Sequence, residues 1–284
     1  MTIEMTAGTL AGALKAIGGV VGQRDNTPIL QCFEISGGKL FATNLGTEIE
    51  IVAPMTGGGD MPPIEYRRLA ALVRLIDADE PLRIEAHEEE VKRGEDVRTE
   101  PRLRLAFGSA RYGLPAIRHG ERLPRIGIGE EVRTTAAGNL GLVAGLRRVR
   151  FCAGQELVRY YLNGVCLSRD PATGRHCLVA TDGHRLALLP IGDVNLPEAC
   201  APIIPNGAIG AILAARGEPE RVHFGTSGLR AEWPGRVVAA KCIDGEYPAW
   251  PRVVPKDADA TTIVRFDRKA MRSAVRRLLA AQDR

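Results

Sequence analysis

Apolar residues recur three or four positions apart in five short stretches and alternate with polar ones through much of the rest, a mixture of periods that predicts helices interleaved with antiparallel strands. Three places open with an alternating strand, a polar break and an apolar-periodic helix: 2–21 (TIEMTAGTLAGALKAIGGVV), 131–151 (EVRTTAAGNLGLVAGLRRVRF) and 262–282 (TIVRFDRKAMRSAVRRLLAAQ). The first apolar helix positions are Leu10, Leu140 and Met271, so the steps are 130 and 131 residues. A repeat of that length dictates the architecture before any motif is read.

The first two units match further on. Residues 39–54 (KLFATNLGTEIEIVAP) and 177–191 (CLVATDGHRLALLPI) both read as strand, turn, strand, setting Ala42-Thr43-Asn44 against Ala180-Thr181-Asp182. A second helix, entered by a proline, follows in 62–76 (PPIEYRRLAALVRLI) and 203–217 (IIPNGAIGAILAARG), and further strands close each unit. The fold class expected is therefore α+β, each unit being two helices packed on antiparallel sheets. Two complete domains, 1–127 and 128–258, precede the start of a third at 259–284, about 100 residues short of a full period.

The stretch LVATDGHRLA (178–187) sets Asp182 and His184 either side of Gly183. Asp-Gly between alternating apolar residues predicts a hairpin whose two central residues have positive φ. A metal site would draw on His176, Cys177, Asp182 and His184, which strand alternation scatters over both faces. No nucleophile elbow, Walker loop, dinucleotide fingerprint or carboxylate cluster accompanies it, so a hydrolase using Asp182 and His184 is the weakest reading. Adjacent tyrosines in 158–167 (VRYYLNGVCL) would lie on opposite faces of a strand, one in the core and one free to meet a ligand or partner.

Composition changes this picture little and charge changes it more. With 45% hydrophobic and 25% charged residues, no apolar run near the roughly 18 residues of a membrane span and no signal-peptide pattern, a cytoplasmic globular protein is expected. Six cysteines at irregular spacing read as buried thiols. Residues 85–100 hold seven acidic against three basic groups and read as a solvated excursion between strands. The helical stretches lean the other way: 137–151 carries Arg147, Arg148 and Arg150 and 268–282 carries Arg268, Lys269, Arg272, Arg276 and Arg277, neither with a carboxylate. Basic helices at matching positions of a repeat would line one surface suited to a polyanion.

RYYLNG (159–164), VATDGHRLA (179–187) and IDGEYPAWPRVVPK (243–256), with GQRDNTPIL (22–30) near the start, resemble the bacterial DNA polymerase III beta subunit, the sliding clamp, in order along the chain. The resemblance implies tandem DNA-clamp domains in a homo-oligomeric ring around duplex DNA, helices inward and sheets outward. It further implies a processivity factor of DNA replication that turns nothing over and needs no cofactor. Its partners would be duplex DNA, read without sequence preference, the DNA polymerase III catalytic subunit, the clamp loader and other proteins that dock by a short peptide. By position, Leu162, Thr181, Gly183, His184, Arg185, Leu186 and Pro255 match one wall of the peptide cleft. Arg24, Tyr160 and Tyr161, and Gln155 after a one-residue shift, match or adjoin positions that meet DNA, beside the basic Arg147 and Arg148. The chain departs from the pattern in lacking most of the last domain, which supplies the other cleft wall and a protomer contact. Three two-domain chains joined head to tail would still make six domains; the alternative is a clamp-derived adaptor or competitor that closes no ring.

Overall fold

In chain order the first repeat runs β1 (Thr2–Thr6), α1 (Ala7–Ile17), β2 (Cys32–Ser36), β3 (Lys39–Thr43), β4 (Thr47–Val52), β5 (Thr56–Gly58), β6 (Ile64–Glu65), α2 (Tyr66–Val73), β7 (Pro81–Arg93), β8 (Asp96–Phe107) and β9 (Ala110–Pro115). The second runs β10 (Glu131–Ala136), α3 (Leu142–Val149), β11 (Gly164–Arg169), β12 (His176–Thr181), β13 (Leu186–Pro190), β14 (Ile203–Pro205), α4 (Asn206–Leu213), β15 (Arg221–Gly225), β16 (Gly228–Trp233) and β17 (Arg236–Lys241). The computed structural model describes residues 1–284 except 23–25, 60, 94–95, 118–120, 137, 139, 195, 198–199, 256–260 and 283–284, and describes only the backbone of 91–93, 96–98 and 132.

The helices form where the periodicity places them. The Thr6 hydroxyl caps α1 by accepting from the Thr9 N–H at 3.2 Å, and Leu10, Ala13, Leu14 and Ile17 turn inward. The first turn of α3 is served instead by Glu218, whose carboxylate oxygens accept the N–H groups of Val143 and Ala144, both at 2.8 Å. Helix α1 packs on α2, and α3 on α4, with their apolar faces against the sheets. The predicted proline entry differs between repeats: Pro205 is the N-cap of α4, whereas Pro62 and Pro63 precede β6 and Glu65 caps α2.

The strands form sheets of order β5-β1-β7-β8-β9, β10-β15-β16-β17-β4-β3-β2-β6 and β13-β12-β11-β14. The eight-stranded sheet contains the junction of the repeats: β17 of the second pairs antiparallel with β4 of the first, from Arg236↔Ile51 to Ala240↔Thr47. Residues Met1–Tyr247 accordingly form one compact unit. The connecting segment is pinned to the same sheet. Leu123 and Ile126 are buried, their N–H groups donate to Glu34 at 2.5 Å and Glu48 at 2.9 Å, and the Arg125 guanidinium lies 3.4 Å from the centre of the Phe41 ring.

Two expectations about these segments are corrected. The acidic stretch 85–100 is not a loop: β7 and β8 stay paired from Arg83↔Ala106 to Arg93↔Asp96, beyond the reach of β1 and β9. A cross-strand ion pair supports the start of the extension, Arg102 with Glu89 at 3.1 Å, and another, Arg104 with Glu85 at 3.9 Å, lies just before it. The third unit forms its helix but not its strand. Pro248–Arg284 is a second compact unit, and 262–266 form no strand there, having no partner strand among its described residues to take up their backbone groups. Its α5 (Arg268–Ala281) is capped by Asp267, which accepts from Ala270 N at 2.7 Å, and leaves Met271, Val275, Leu278 and Leu279 exposed.

Candidate functional site

The hairpin β12–β13 carries the candidate site, and its turn is larger than Asp-Gly predicts. Thr181 pairs with Leu186, so four residues, 182–185, make the turn, and of these only Gly183 has positive φ, at 90°. The two-residue form with both φ positive occurs instead at Gly37 and Gly38, between β2 and β3. Side-chain acceptors explain the difference. The Asp182 Oδ1 accepts the N–H groups of His184 and Arg185, each at 3.0 Å. The Thr181 hydroxyl donates to the Arg185 carbonyl at 2.8 Å and accepts from Gly183 N at 3.0 Å.

The first repeat builds the same turn. Asn44 Oδ1 accepts from Gly46 N at 3.1 Å and Thr47 N at 2.7 Å, and the Thr43 hydroxyl donates to the Thr47 carbonyl at 3.3 Å and accepts from Leu45 N at 3.1 Å. Leu45, with φ 70°, stands where the second repeat has Gly183. The turn is thus a duplicated structural device, and Asp182 is committed to backbone donors, not poised as a base.

Asp182 is further paired with the Arg185 guanidinium at 2.9 Å. The N–H donors of His184 and Arg185, helped by that guanidinium, hold its carboxyl down to about 2. Because the folded value is depressed, its contribution to hairpin order is full above the ordinary value near 3.8 and is lost as pH falls toward about 2. We expect Asp182→Asn to keep the turn at neutral pH, as Asn44 does, and Asp182→Ala to speed amide exchange at His184 and Arg185 about tenfold. In the unsubstituted chain the same amide signals should titrate near pH 2; a midpoint near 4 would contradict the geometry.

Beside this turn lies a cleft of about 590 Å³ lined by Arg150, Phe151, Gln155, Glu156, Asp182, His184, Arg185 and Asn206 with Ala153, Gly154 and Ile209. Arg185 lies 5.7 Å from the centre of the Phe151 ring. Glu156 is bound to Arg159, whose guanidinium approaches Gly183. Of the residues singled out in the sequence, the cleft brings together Arg150, Gln155, Asp182, His184 and Arg185. Phe151 and Asn206 were missed; the only sequence signals for them are an aromatic residue just past a basic helix and an amide just past Pro205.

The remaining predicted residues fall around it. Thr181 is buried, Gly183 exposed and Leu186 half-buried, while Leu162 is buried with its carbonyl accepting from Gly154 N at 2.8 Å. Tyr160 and Tyr161 are not on a strand but on a 3₁₀ turn, Tyr160–Leu162, because the Asn163 and Leu162 N–H groups bond back to Tyr160 and Arg159; β11 begins only at Gly164. Tyr160 is exposed, Tyr161 half-buried, and their rings meet edge to face at 5.9 Å. Arg147 and Arg148 are exposed in the last turn of α3. Pro255 is exposed in the second unit, and Arg24 lies outside the described residues.

Among the described residues no group of His, Cys, Asp and Glu is arranged to hold a metal, and no helix is long and apolar enough to cross a membrane. Burial pushes the thiols of Cys32, Cys166, Cys177 and Cys242 up to about 12, which suits packing and not nucleophilic attack.

Known proteins agree with this architecture. A family model for the central domain of the DNA polymerase III beta subunit matches residues 141–249. The beta sliding clamp of Caulobacter vibrioides is 29% identical over 270 residues, spanning 90% of this chain and 68% of its own length, and that of Pseudomonas putida is 27% identical over 97% of this chain and 73% of its own. In structure, the Caulobacter crescentus sliding clamp superposes with a TM-score of 0.77 at 26% identity over 100% of this chain and 76% of its own. The Pseudomonas aeruginosa clamp bound to griselimycin gives 0.77 at 25% identity over 98% and 73%. Duplicated modules joined sheet edge to sheet edge, the turn built on Asp182 and these likenesses together make the chain similar to the bacterial DNA polymerase III beta subunits, the beta sliding clamps, with the match to the family's central domain falling on residues 141–249.

Proposed function

We propose that this chain works as a sliding clamp on duplex DNA, a processivity factor that holds polymerases to the template and performs no chemistry of its own. The observation that carries this reading is the β17–β4 seam, which joins two like modules edge to edge and is the kind of contact from which a closed ring of modules is built. We read the modules as clamp domains over 1–127 and 128–258, with a third beginning at 259. Exposed Arg147 and Arg148, with Gln155, Tyr160 and Tyr161 nearby in the chain, form the surface for DNA phosphates. The turn 181–186 and Leu162 form the wall against which an extended peptide of a polymerase or clamp loader docks, apolar anchors beside a polar rim. Pro255 and Arg24 belong to these two sets by resemblance alone.

Encirclement makes a prediction that surface binding does not. The intact chain, loaded on a nicked circular plasmid by its clamp loader, should stay bound through gel filtration at moderate salt and be released when the plasmid is cut once. Retention that follows salt alone, with a monomeric mass at micromolar concentration, would sink the ring and leave an adaptor. Griselimycin, the ligand of the Pseudomonas aeruginosa relative, serves as the binding probe, and its competition with a polymerase peptide tests whether it seats on the docking wall.

A further inference from the structure

The hydroxyl oxygen of Tyr247 accepts a hydrogen bond from the backbone N–H of Thr181 at 3.0 Å. We infer that Tyr247 is a positioning residue for the docking turn, tying the segment that leaves β17 to the wall on which partner peptides seat; this rests on the reading of that turn as a docking wall.

The need for such a group follows from the strand register. β11 pairs with β12 from Arg169↔His176 only as far as Cys166↔Val179. Two residues further, Gly164 would face Thr181, but the pairing stops short of it, and Gly164 pairs only across the other edge of β11, with Pro205 of β14. On the other side Thr181 faces Leu186 across the hairpin. The Thr181 N–H therefore has no strand to receive it, although Thr181 is buried, and a buried N–H without an acceptor is strongly disfavoured. The Tyr247 oxygen supplies the acceptor that β11 does not. Thr181 passes the constraint on, since its hydroxyl holds both Gly183 N and the Arg185 carbonyl.

Tyr247 is itself held. Its segment is tied to β14 through Ile243 N and the Ile203 carbonyl at 2.9 Å, and it passes so close to the tyrosine pair that a Cβ at Gly245 would lie 3.1 Å from Cβ of Tyr161. One short segment thus touches both the end of β12 and the residue pair proposed to face DNA. Burial, the largest cause, raises the Tyr247 phenol above its ordinary value, so the oxygen stays a neutral hydroxyl.

Tyr247→Phe keeps the ring and removes only this oxygen. In the full chain, exchange of the Thr181 amide should become about tenfold faster or more while that of Val179 in mid-strand stays unchanged, and griselimycin should bind about three- to tenfold more weakly. Unchanged exchange at Thr181 overturns the inference. So does faster exchange at Thr181 with griselimycin affinity equal to that of the parent chain. If the parent chain fails to bind griselimycin, the docking reading falls, and Thr181 exchange still decides whether Tyr247 holds the turn. As a second variant, Thr181→Val breaks the next link: it should free the Gly183 amide and weaken griselimycin by a similar factor, with the Thr181-position amide still protected.

Discussion

Gly164→Ala is expected to destabilise the chain by about 3 kcal/mol, a lowering of the melting temperature on the order of 6–12 °C. Gly164 opens β11 at the end of RYYLNG and pairs with Pro205 of β14. A Cβ at this position would run into the carbonyl oxygen of Ile204 and lie 3.0 Å from its carbonyl carbon and 3.1 Å from Cγ2 of Ile203. The first two are backbone atoms, which no rotamer change moves, so the strands must part. Parting them strains the packing of Ile203 and Ile204, both buried, and loosens Cys166↔Ile203 and Val165↔Ile204. The glycine is needed for closeness, not for dihedral freedom, since its φ is not positive. Gly12 is the control: it lies in α1, a Cβ there meets nothing within 4 Å, and Gly12→Ala should stabilise by up to about 1 kcal/mol. Thermal unfolding of the two variants beside the parent decides it; a Gly164→Ala chain that melts with the parent would refute the close-approach account.

The repeat was legible because it is written in hydrophobic period, and period survives substitution. Leu10 and Leu140, matched by count alone, both prove buried, in α1 and just before α3. The pairing of Thr43-Asn44 with Thr181-Asp182 was legible for the same reason, and the hydrogen bonds turn out to be shared one for one. What periodicity could not supply is tertiary origin. The β17–β4 seam joins residues 185 to 193 positions apart, from Ile51 with Arg236 to Thr47 with Ala240, and nothing local marks either strand as a junction. Glu218 caps α3 from a distant loop, and Tyr247 reaches Thr181 from beyond β17. The misread pieces share a cause as well. Charge made 85–100 look like a loop, yet alternating opposite charges sustain a two-stranded ribbon, and Tyr160-Tyr161 was given strand alternation although β11 starts after them.

Replacing Arg147 and Arg148 together is expected to have the larger functional effect. Leu142, Val143, Leu146 and Val149 face the core, so the helical period turns residues 147 and 148 outward, and both are exposed. None of the described carboxylates pairs with either, so their charge is available to phosphate. They also sit in the last turn, where cations are favoured by the helix dipole, while Glu218 occupies the first turn. The fold should therefore tolerate Arg147→Ala with Arg148→Ala nearly unchanged. Each phosphate contact contributes about 0.9 to the slope of log affinity against log salt, so the double alanine variant should lower that slope by about two and weaken binding on the order of tenfold near 0.1 M salt. Arg147→Glu with Arg148→Glu adds repulsion and should reach about a hundredfold, by the same electrostatics. The loss should be equal on duplexes of unrelated sequence, because phosphates carry no sequence information. Topology should be untouched: whatever fraction still loads on a circle should still be released when the circle is cut. A double variant with the parent's salt slope would place the DNA elsewhere on the molecule, and one that loses binding to a single sequence would replace phosphate contact with base reading.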